Sequence, residues 1–374
     1  MLRKVEEGGY ASDLLLKLSA KLESRDAGLA SEIVFGCLRY QAQLDYLIDR
    51  LASQKRKGRG AHHGISEELP RAALRFARVP RKLDREVRIA LRMGIYQLRY
   101  LDRIPAHAAV TESVDLVKRA HKRSAAGFVN AVLRKVHRKP VTWPDLATEL
   151  SVPQWMLDRW QRQYGAEQAA AIACAALIEP ETTINAATGR AQDIGSQFIV
   201  PLLEIEPGMP VLDLCAAPGN KTAQALAAGA RVVACDRYLR RLREVPDAAQ
   251  RVALDASASL PFRVKFDRIL VDAPCTGTGT LSRNPEIKWR LRPADIDRLA
   301  ALQRSILTHA LEHLKPEGRL VYSTCSLEPE ENQAVVAALP PEWKLHSTDL
   351  RLPGRDPHEN KQADGFFAAV IGPP

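Results

Sequence analysis

From Pro207-Gly208 onward the chain alternates short apolar runs with helix-length amphipathic segments, a rhythm that few soluble folds satisfy. The runs Val211–Leu214, Arg231–Cys235, Phe266–Val271 and Arg319–Tyr322 are too short for helices and are rich in Val, Leu and Ile, whereas Thr222–Ala228 and Ile296–Leu314 carry helical spacing. Strands with no polar alternation are buried on both faces. The pattern therefore predicts a mostly parallel α/β sheet with helices on either side, and in such a sheet ligands bind outside the carboxyl ends of the strands.

Residues that follow a strand thus become the candidates for chemistry. Cys275, in Asp272-Ala273-Pro274-Cys275, follows Ile269-Leu270-Val271, and Cys325, in Ser323-Thr324-Cys325-Ser326, follows Leu320-Val321-Tyr322. Two thiols at one sheet edge suggest covalent catalysis. The run Val211–Leu214 passes into Cys215-Ala216-Ala217-Pro218-Gly219-Asn220-Lys221-Thr222 and then a helix. Small residues at such a turn let the backbone approach a ligand, and a helix N-terminus offers free N–H groups. The turn is neither G-x-G-x-x-G nor a P-loop. The next strand ends in Asp236, about 20 residues on, where a carboxylate grips the hydroxyls of a bound ribose. Asp255, after Val252-Ala253-Leu254, is a third acid that reads equally well as a surface residue. Nucleoside binding without a pyrophosphate grip fits S-adenosylmethionine better than a dinucleotide.

From Ser12 to His137 the apolar residues recur at helical spacing, as in Leu44, Leu47, Ile48 and Leu51, or Phe128, Val129, Val132, Leu133 and Val136. This part is expected to be all-helical. It also holds the positive charge: residues 1–140 contain 29 Lys and Arg against 15 Asp and Glu, and the remainder 25 against 29. A basic helical module beside a near-neutral one suggests capture of a polyanion, the alternative being a solvated helical surface. The stretch Gln54-Lys55-Arg56-Lys57-Gly58-Arg59-Gly60 reads as a loop, either an RNA-contacting arm or a solvated insertion. The expected domains are 1–140, a connecting subdomain over 141–206, and a catalytic domain over 207–374.

The six cysteines are widely spaced, with no CxxC and no His or Cys at ligand spacing, which argues against zinc and against a disulfide framework. Cys37, Cys174 and Cys235 read as buried packing residues. Pro274-Cys275 is not a zinc-deaminase signature, since position 278 is Thr and no His-x-Glu precedes it. With no apolar leader and no membrane-length run, a cytoplasmic protein is expected, acting as a monomer.

Taken together and in order, Asp213–Thr222, Asp272-Ala273-Pro274-Cys275-Thr276-Gly277-Thr278-Gly279, Arg283-Asn284-Pro285-Glu286-Ile287-Lys288-Trp289, Ser323–Ser326 and Asp364-Gly365-Phe366-Phe367 resemble the Sun (Fmu) group of RNA cytosine-5 methyltransferases. Arg25–Ala30, Val34–Arg39 and Gly127–Arg134 look like the NusB-type RNA-binding domain carried by the B-type small-subunit ribosomal RNA members of that group. The resemblance implies a Rossmann-like class I methyltransferase domain, preceded by an all-α NusB-like domain. It implies S-adenosylmethionine held by residues 215–221, Asp236, Asp255 and Asp272. It further implies Cys325 as nucleophile, Cys275 as promoter of product release, Asp272 as the group facing the base, and RNA, most often 16S rRNA free or in early particles, as substrate.

Three departures stand out. Asn220 replaces the second glycine usual in the turn, and Asn tolerates positive φ, so the turn is expected to survive. Thr183-Ile184-Asn185 lacks an Arg common before such an Asn, and the connection from Asp236 to Asp255 is short. Lys221 reads either as a holder of a carboxylate such as Asp272 or as a solvated helix start, and Arg283, Lys288 and Trp289 as RNA-contacting or packing residues. Transfer RNA methylation and a non-catalytic NusB-like antitermination factor are the competing functions.

Overall fold

The computed structural model describes residues 1–53, 83–356 and 361–374, so the charged segment 54–60 lies outside the described residues. The chain divides into two compact units, Met1–Ala173 and Cys174–Pro374.

In the first unit the described residues up to 140 form helices and no strand, among them α1 (Ser24–Arg39), α2 (Gln41–Ser53), α3 (Arg85–Tyr100), α4 (Ala106–Arg119) and α5 (Ala126–Leu133). Leu44, Leu47, Ile48 and Leu51 are all buried, as their spacing requires. α5 stops at Leu133, so Val136 lies beyond the helix and is only half-buried. Gly36 is where α1 meets α3: a Cβ there would come 1.9 Å from the Tyr96 ring, so no larger residue fits. Arg92, 8% exposed, joins Glu6 and Asp45 at 2.8 Å and so ties α3 to α2 and to the N-terminal turn. Beyond these helices, Gln154–Ala175 is broken at Gly165, whose φ of 82° lies in the left-handed region. Met156, Leu157 and Trp160 of that segment are buried. Cys174 near its end is exposed, against the expectation of a packing role: the inward face there is made by Ala169, Ile172 and Ala173, and position 174 turns outward. Cys37 and Cys235 are buried as expected.

The second unit is built on a seven-stranded sheet. Its strands are β1 (Pro210–Asp213), β2 (Arg231–Asp236), β3 (Gln250–Ala253), β4 (Phe266–Asp272), β5 (Leu314–Thr324), β6 (Lys344–Arg351) and β7 (Phe366–Gly372). Their order is β3-β2-β1-β4-β5-β7-β6, with β3 through β5 parallel and β7 inserted antiparallel between β5 and β6. Successive side chains enter opposite cores. Leu212, Ile269, Val271, Leu320 and Tyr322 fill one face, while Val211, Leu270 and Val321 fill the other. The helices α6 (Asn220–Ala227) and α7 (Pro293–Glu312) follow β1 and precede β5. Strand order reverses between β1 and β4, which opens a crevice above their carboxyl ends at the topological switch point. No helix among the described residues is long and apolar enough to cross a membrane.

Candidate active site

The turn after β1 is shaped by Gly219, whose φ is 98° and whose Cβ, if present, would lie 2.7 Å from the Val245 Cα. Only glycine relieves both constraints. The turn survives as expected, but the positive φ falls on Gly219 and not on Asn220, which opens α6. The Asn220 side chain accepts from Arg190 Nε at 2.8 Å and donates to the Ala191 carbonyl at 3.0 Å, and Arg190 also donates to the Pro218 carbonyl at 3.1 Å. Asn185, in the segment that departs from the family pattern, is buried and donates to Gln192 Oε1 at 3.1 Å.

Beneath the turn, Asp213 is 1% exposed and accepts from the Thr222 hydroxyl at 2.7 Å, while its Oδ1 has no protein partner. Burial pushes its carboxyl up to about 7, from an ordinary value of 3.8. Between those two values the folded state holds a proton that the unfolded chain gives up. The resulting stability is fully present below about pH 4 and is lost as pH rises through 7. Asp213→Asn should therefore reduce the drop in melting temperature between pH 5 and pH 8 by several degrees, the upper bound being about 4 kcal/mol for the shift. A drop equal to that of the wild type would count against this assignment.

A cavity of about 350 Å³ fills the crevice. Its walls come from Cys215 and Ala217 of the turn, from Asp236 and Asp272 at the ends of β2 and β4, from Asp255 after β3, and from Cys275 and Cys325 after β4 and β5. Leu254, Leu302 and Ile306 give it an apolar side. Ala216, Pro218, Gly219, Asn220 and Lys221 do not line it; they form the turn that supports the lining. Asp236, 5% exposed, accepts from the Tyr238 N–H at 2.9 Å and lies 3.5 Å from Arg241. Asp255 accepts from the Ser257 hydroxyl at 2.6 Å and its N–H at 3.0 Å, bonds that hold its carboxyl below the ordinary range. An apolar wall flanked by carboxylates suits an adenosine, so the residues lining this cavity fit S-adenosylmethionine.

Asp272 is held on both oxygens. Lys221 Nζ lies 2.6 Å from Oδ2, and the Ser323 hydroxyl donates to Oδ1 at 2.8 Å. Burial works against the Lys221 ammonium, but the charge and hydrogen bond of Asp272 outweigh it and leave its pKa raised. Of the two readings of Lys221, the structure shows the carboxylate holder. The sulfur atoms of Cys275 and Cys325 are 3.4 Å apart. The hydrogen bond to Cys325, then burial, then the charges of Cys325 and Glu331 drive the Cys275 thiol well above its ordinary value.

Several residues that complete this arrangement are ambiguous or silent in the sequence. Arg283 meets Asp364 at 2.8 Å and Asp193 at 2.9 Å, so it packs the motifs against one another. Lys288 is 1% exposed and lies over the Trp289 ring. Gly279 donates to the Cys325 carbonyl at 2.9 Å and accepts from the Gly365 N–H at 2.8 Å. A Cβ at Gly279 would strike the Gly365 carbonyl at 2.3 Å, and one at Gly365 would come 2.8 Å from the Leu327 and Pro353 side chains, so glycine fits both loops. Glu331 bridges the two cysteine loops from within the core.

Comparison with known proteins agrees with this geometry. Residues 200–371 match the family model described as 16S rRNA methyltransferase RsmB/F, and residues 71–138 match that of the NusB family. The chain is 31% identical to the ribosomal RNA small subunit methyltransferase B of Klebsiella pneumoniae, covering 98% of this chain and 95% of that protein. It is 30% identical to the probable ribosomal RNA small subunit methyltransferase B of Bacillus subtilis, over 96% and 90%. The crystal structure of PH0851 shares the fold with a TM-score of 0.72 at 20% identity, covering 95% of this chain and 92% of that one. A cavity suited to adenosine at the switch point of a Rossmann-like sheet, two family models in the same order and near full-length relatives lead to one conclusion: the chain belongs to the RsmB/F family of S-adenosylmethionine-dependent RNA methyltransferases, with a NusB domain ahead of the methyltransferase domain.

Proposed function

We propose that the protein methylates carbon 5 of a cytidine in RNA, with 16S rRNA as the substrate, through a covalent bond between Cys325 and the base. The observation that carries this reading is the contact of two thiols, 3.4 Å apart, beside an ion-paired aspartate at the wall of the cofactor cavity. Bound S-adenosylmethionine supplies an electrophilic methyl group. Carbon 5 of cytosine is too poor a nucleophile to take it unaided, and the residues of the chain correct that.

The Cys325 thiolate adds to carbon 6 of the base, which turns carbons 5 and 4 into an enamine and makes carbon 5 nucleophilic. Asp272, oriented by Ser323 and Lys221, faces the N3 edge and relays to it, from solvent, the proton that neutralises the charge addition pushes onto the ring. Once carbon 5 carries the methyl group it must lose its proton before the carbon 6–sulfur bond breaks. Cys275, once its own proton has passed to solvent, takes the carbon 5 proton. The carbon–hydrogen electron pair re-forms the ring double bond, Cys325 departs with the electrons of its bond to carbon 6, and N3 returns its proton to Asp272. The base has to leave its stack to reach these sulfurs, so the target is single-stranded or flipped.

The basic first unit holds the phosphates of the RNA. Changing the exposed Arg103, Arg123 and Arg134 together to glutamine should weaken RNA binding and reduce the slope of log K against log salt by about one for each phosphate deprived of its cation. An unchanged slope would place the phosphate-binding residues elsewhere. For the function itself the test is bisulfite sequencing of ribosomal and transfer RNA from a strain lacking the gene. One cytidine of the small-subunit RNA, protected in the parent, should become convertible; protection lost only in transfer RNA, or nowhere, would defeat the assignment.

A further inference from the structure

The turn beside the cofactor cavity cannot lock its own shape. Ala216, Ala217, Pro218 and Gly219 carry no side-chain group that can hydrogen-bond, and Gly219 is in the left-handed region. Small residues let a backbone approach a ligand, but the order of such a turn has to come from its neighbours. Two arginines supply it on consecutive carbonyls. Arg241, which lines the cavity, donates to the Ala217 carbonyl at 2.9 Å. Arg190, which does not line it, donates to the Pro218 carbonyl at 3.1 Å and to Asn220 Oδ1 at 2.8 Å. One guanidinium thus spans the turn from Pro218 to the first residue of α6, with bonds made stronger by its charge.

Arg190 is itself presented by a closed loop. Ile184 and Ala191 form an antiparallel bridge, the Asn185 N–H donates to the Arg190 carbonyl at 2.9 Å, and Gly189, with a φ of 66°, makes the return. Asn220 donates back to the Ala191 carbonyl at 3.0 Å. The seam continues along the same face of α6: Gln224, one helical turn after Asn220, accepts from Gln192 Nε2 at 2.7 Å and donates to the Gln197 carbonyl at 3.0 Å. Arg190 is the end of this seam that meets the cofactor turn.

We propose that Arg190 is a positioning residue for the cofactor: by bridging Pro218 and Asn220 it holds the turn in its ligand-binding shape before S-adenosylmethionine arrives. A turn ordered in advance need not be ordered on binding, and affinity rises accordingly. The proposal rests on the cofactor cavity and is independent of which RNA atom is methylated.

Calorimetric titration of the full chain, without RNA, tests it. S-Adenosylmethionine carries a net positive charge, so loss of a nearby cation acting through charge alone would tighten its binding. Arg190→Met should instead weaken it about tenfold, and should weaken S-adenosylhomocysteine, which has no sulfonium, by a factor within about twofold of that. Arg190→Lys keeps the charge but cannot fork to both acceptors, and should fall between the wild type and Arg190→Met. Asn220→Ala should weaken both ligands about fivefold, and the double variant should stay within about twofold of Arg190→Met, well short of the roughly 50-fold product. Melting temperatures of the ligand-free variants should lie within a few degrees of the wild type, whereas a purely structural brace would lower them and leave affinity as it was. With RNA, Arg190→Met should raise KM for S-adenosylmethionine about tenfold and lower kcat by less than about threefold.

Affinity within about twofold of the wild type in Arg190→Met, or tighter, overturns the proposal, as does a loss confined to one of the two ligands. If Arg190→Met does not fold, Arg190→Lys and Asn220→Ala carry the same test. Failure of the wild type to methylate any RNA, with the binding results as expected, would defeat the functional reading and leave the role of Arg190 standing.

Discussion

Cys325→Ala should lower methyl transfer by about 10,000-fold or more while S-adenosylmethionine binds as before. Removing a covalent nucleophile leaves only binding and orientation to act on an aromatic carbon with no useful nucleophilicity of its own. The cofactor wall should survive, because Cys325 contributes only one edge of a cavity also lined by Asp236, Asp255, Leu254, Leu302 and Ile306. The variant separates the two roles of the site: isothermal titration should give a near wild-type affinity where turnover is abolished. Turnover within about tenfold of the wild type would remove Cys325 from the nucleophile's role.

Cys275→Ala should have the opposite signature, an excess of bonding to RNA rather than its loss. Addition through Cys325 and transfer of the methyl group do not need Cys275, whereas release does. The variant should therefore accumulate a protein–RNA species that survives denaturing electrophoresis and forms only when S-adenosylmethionine is supplied. Turnover should fall by about 100- to 10,000-fold, the range expected when an acid or base is removed. The Cys275→Ala, Cys325→Ala double variant should form no such species, which distinguishes a true adduct from tight binding. No adduct from Cys275→Ala during attempted turnover would contradict the release role.

The sequence makes the catalytic edge legible because the information there is local. Each strand from β1 to β5 that carries a motif holds a short apolar run in its C-terminal half, and each motif begins where the run ends, so the pattern of residues alone places Asp272, Cys275 and Cys325 at one edge. β7 is less visible. Phe366–Gly372 is buried along its whole length, and such a run has no period by which to tell strand from helix. β6 is hidden for the opposite reason: it is an edge strand, largely exposed, and its residues Lys344–Arg351 look like surface. These two strands turn a sheet expected to be mostly parallel into a mixed one at the β5 side.

Glu331 is illegible for a different reason. It sits in Glu328-Pro329-Glu330-Glu331, which in a sequence reads as a solvated acidic turn. Its burial depends on Thr276 and Gln303, distant in sequence, whose hydroxyl, N–H and amide converge on it only once β4, β5 and α7 have packed. Arg283 shows the same limit. Its charge suggests either RNA or packing, and Asp193 and Asp364, far apart along the chain, decide for packing.

The central claim is the position of the methyl group. The protein should be incubated with small-subunit ribosomal RNA, as naked RNA and as early particles, and with S-adenosylmethionine carrying a labelled methyl. The RNA is then digested to nucleosides and analysed by mass spectrometry. The label should appear as 5-methylcytidine, at no more than one residue per RNA molecule. Label on a ribose, on another base or on another atom of cytosine, or bound cofactor with no transfer to either form of the RNA, would contradict the account.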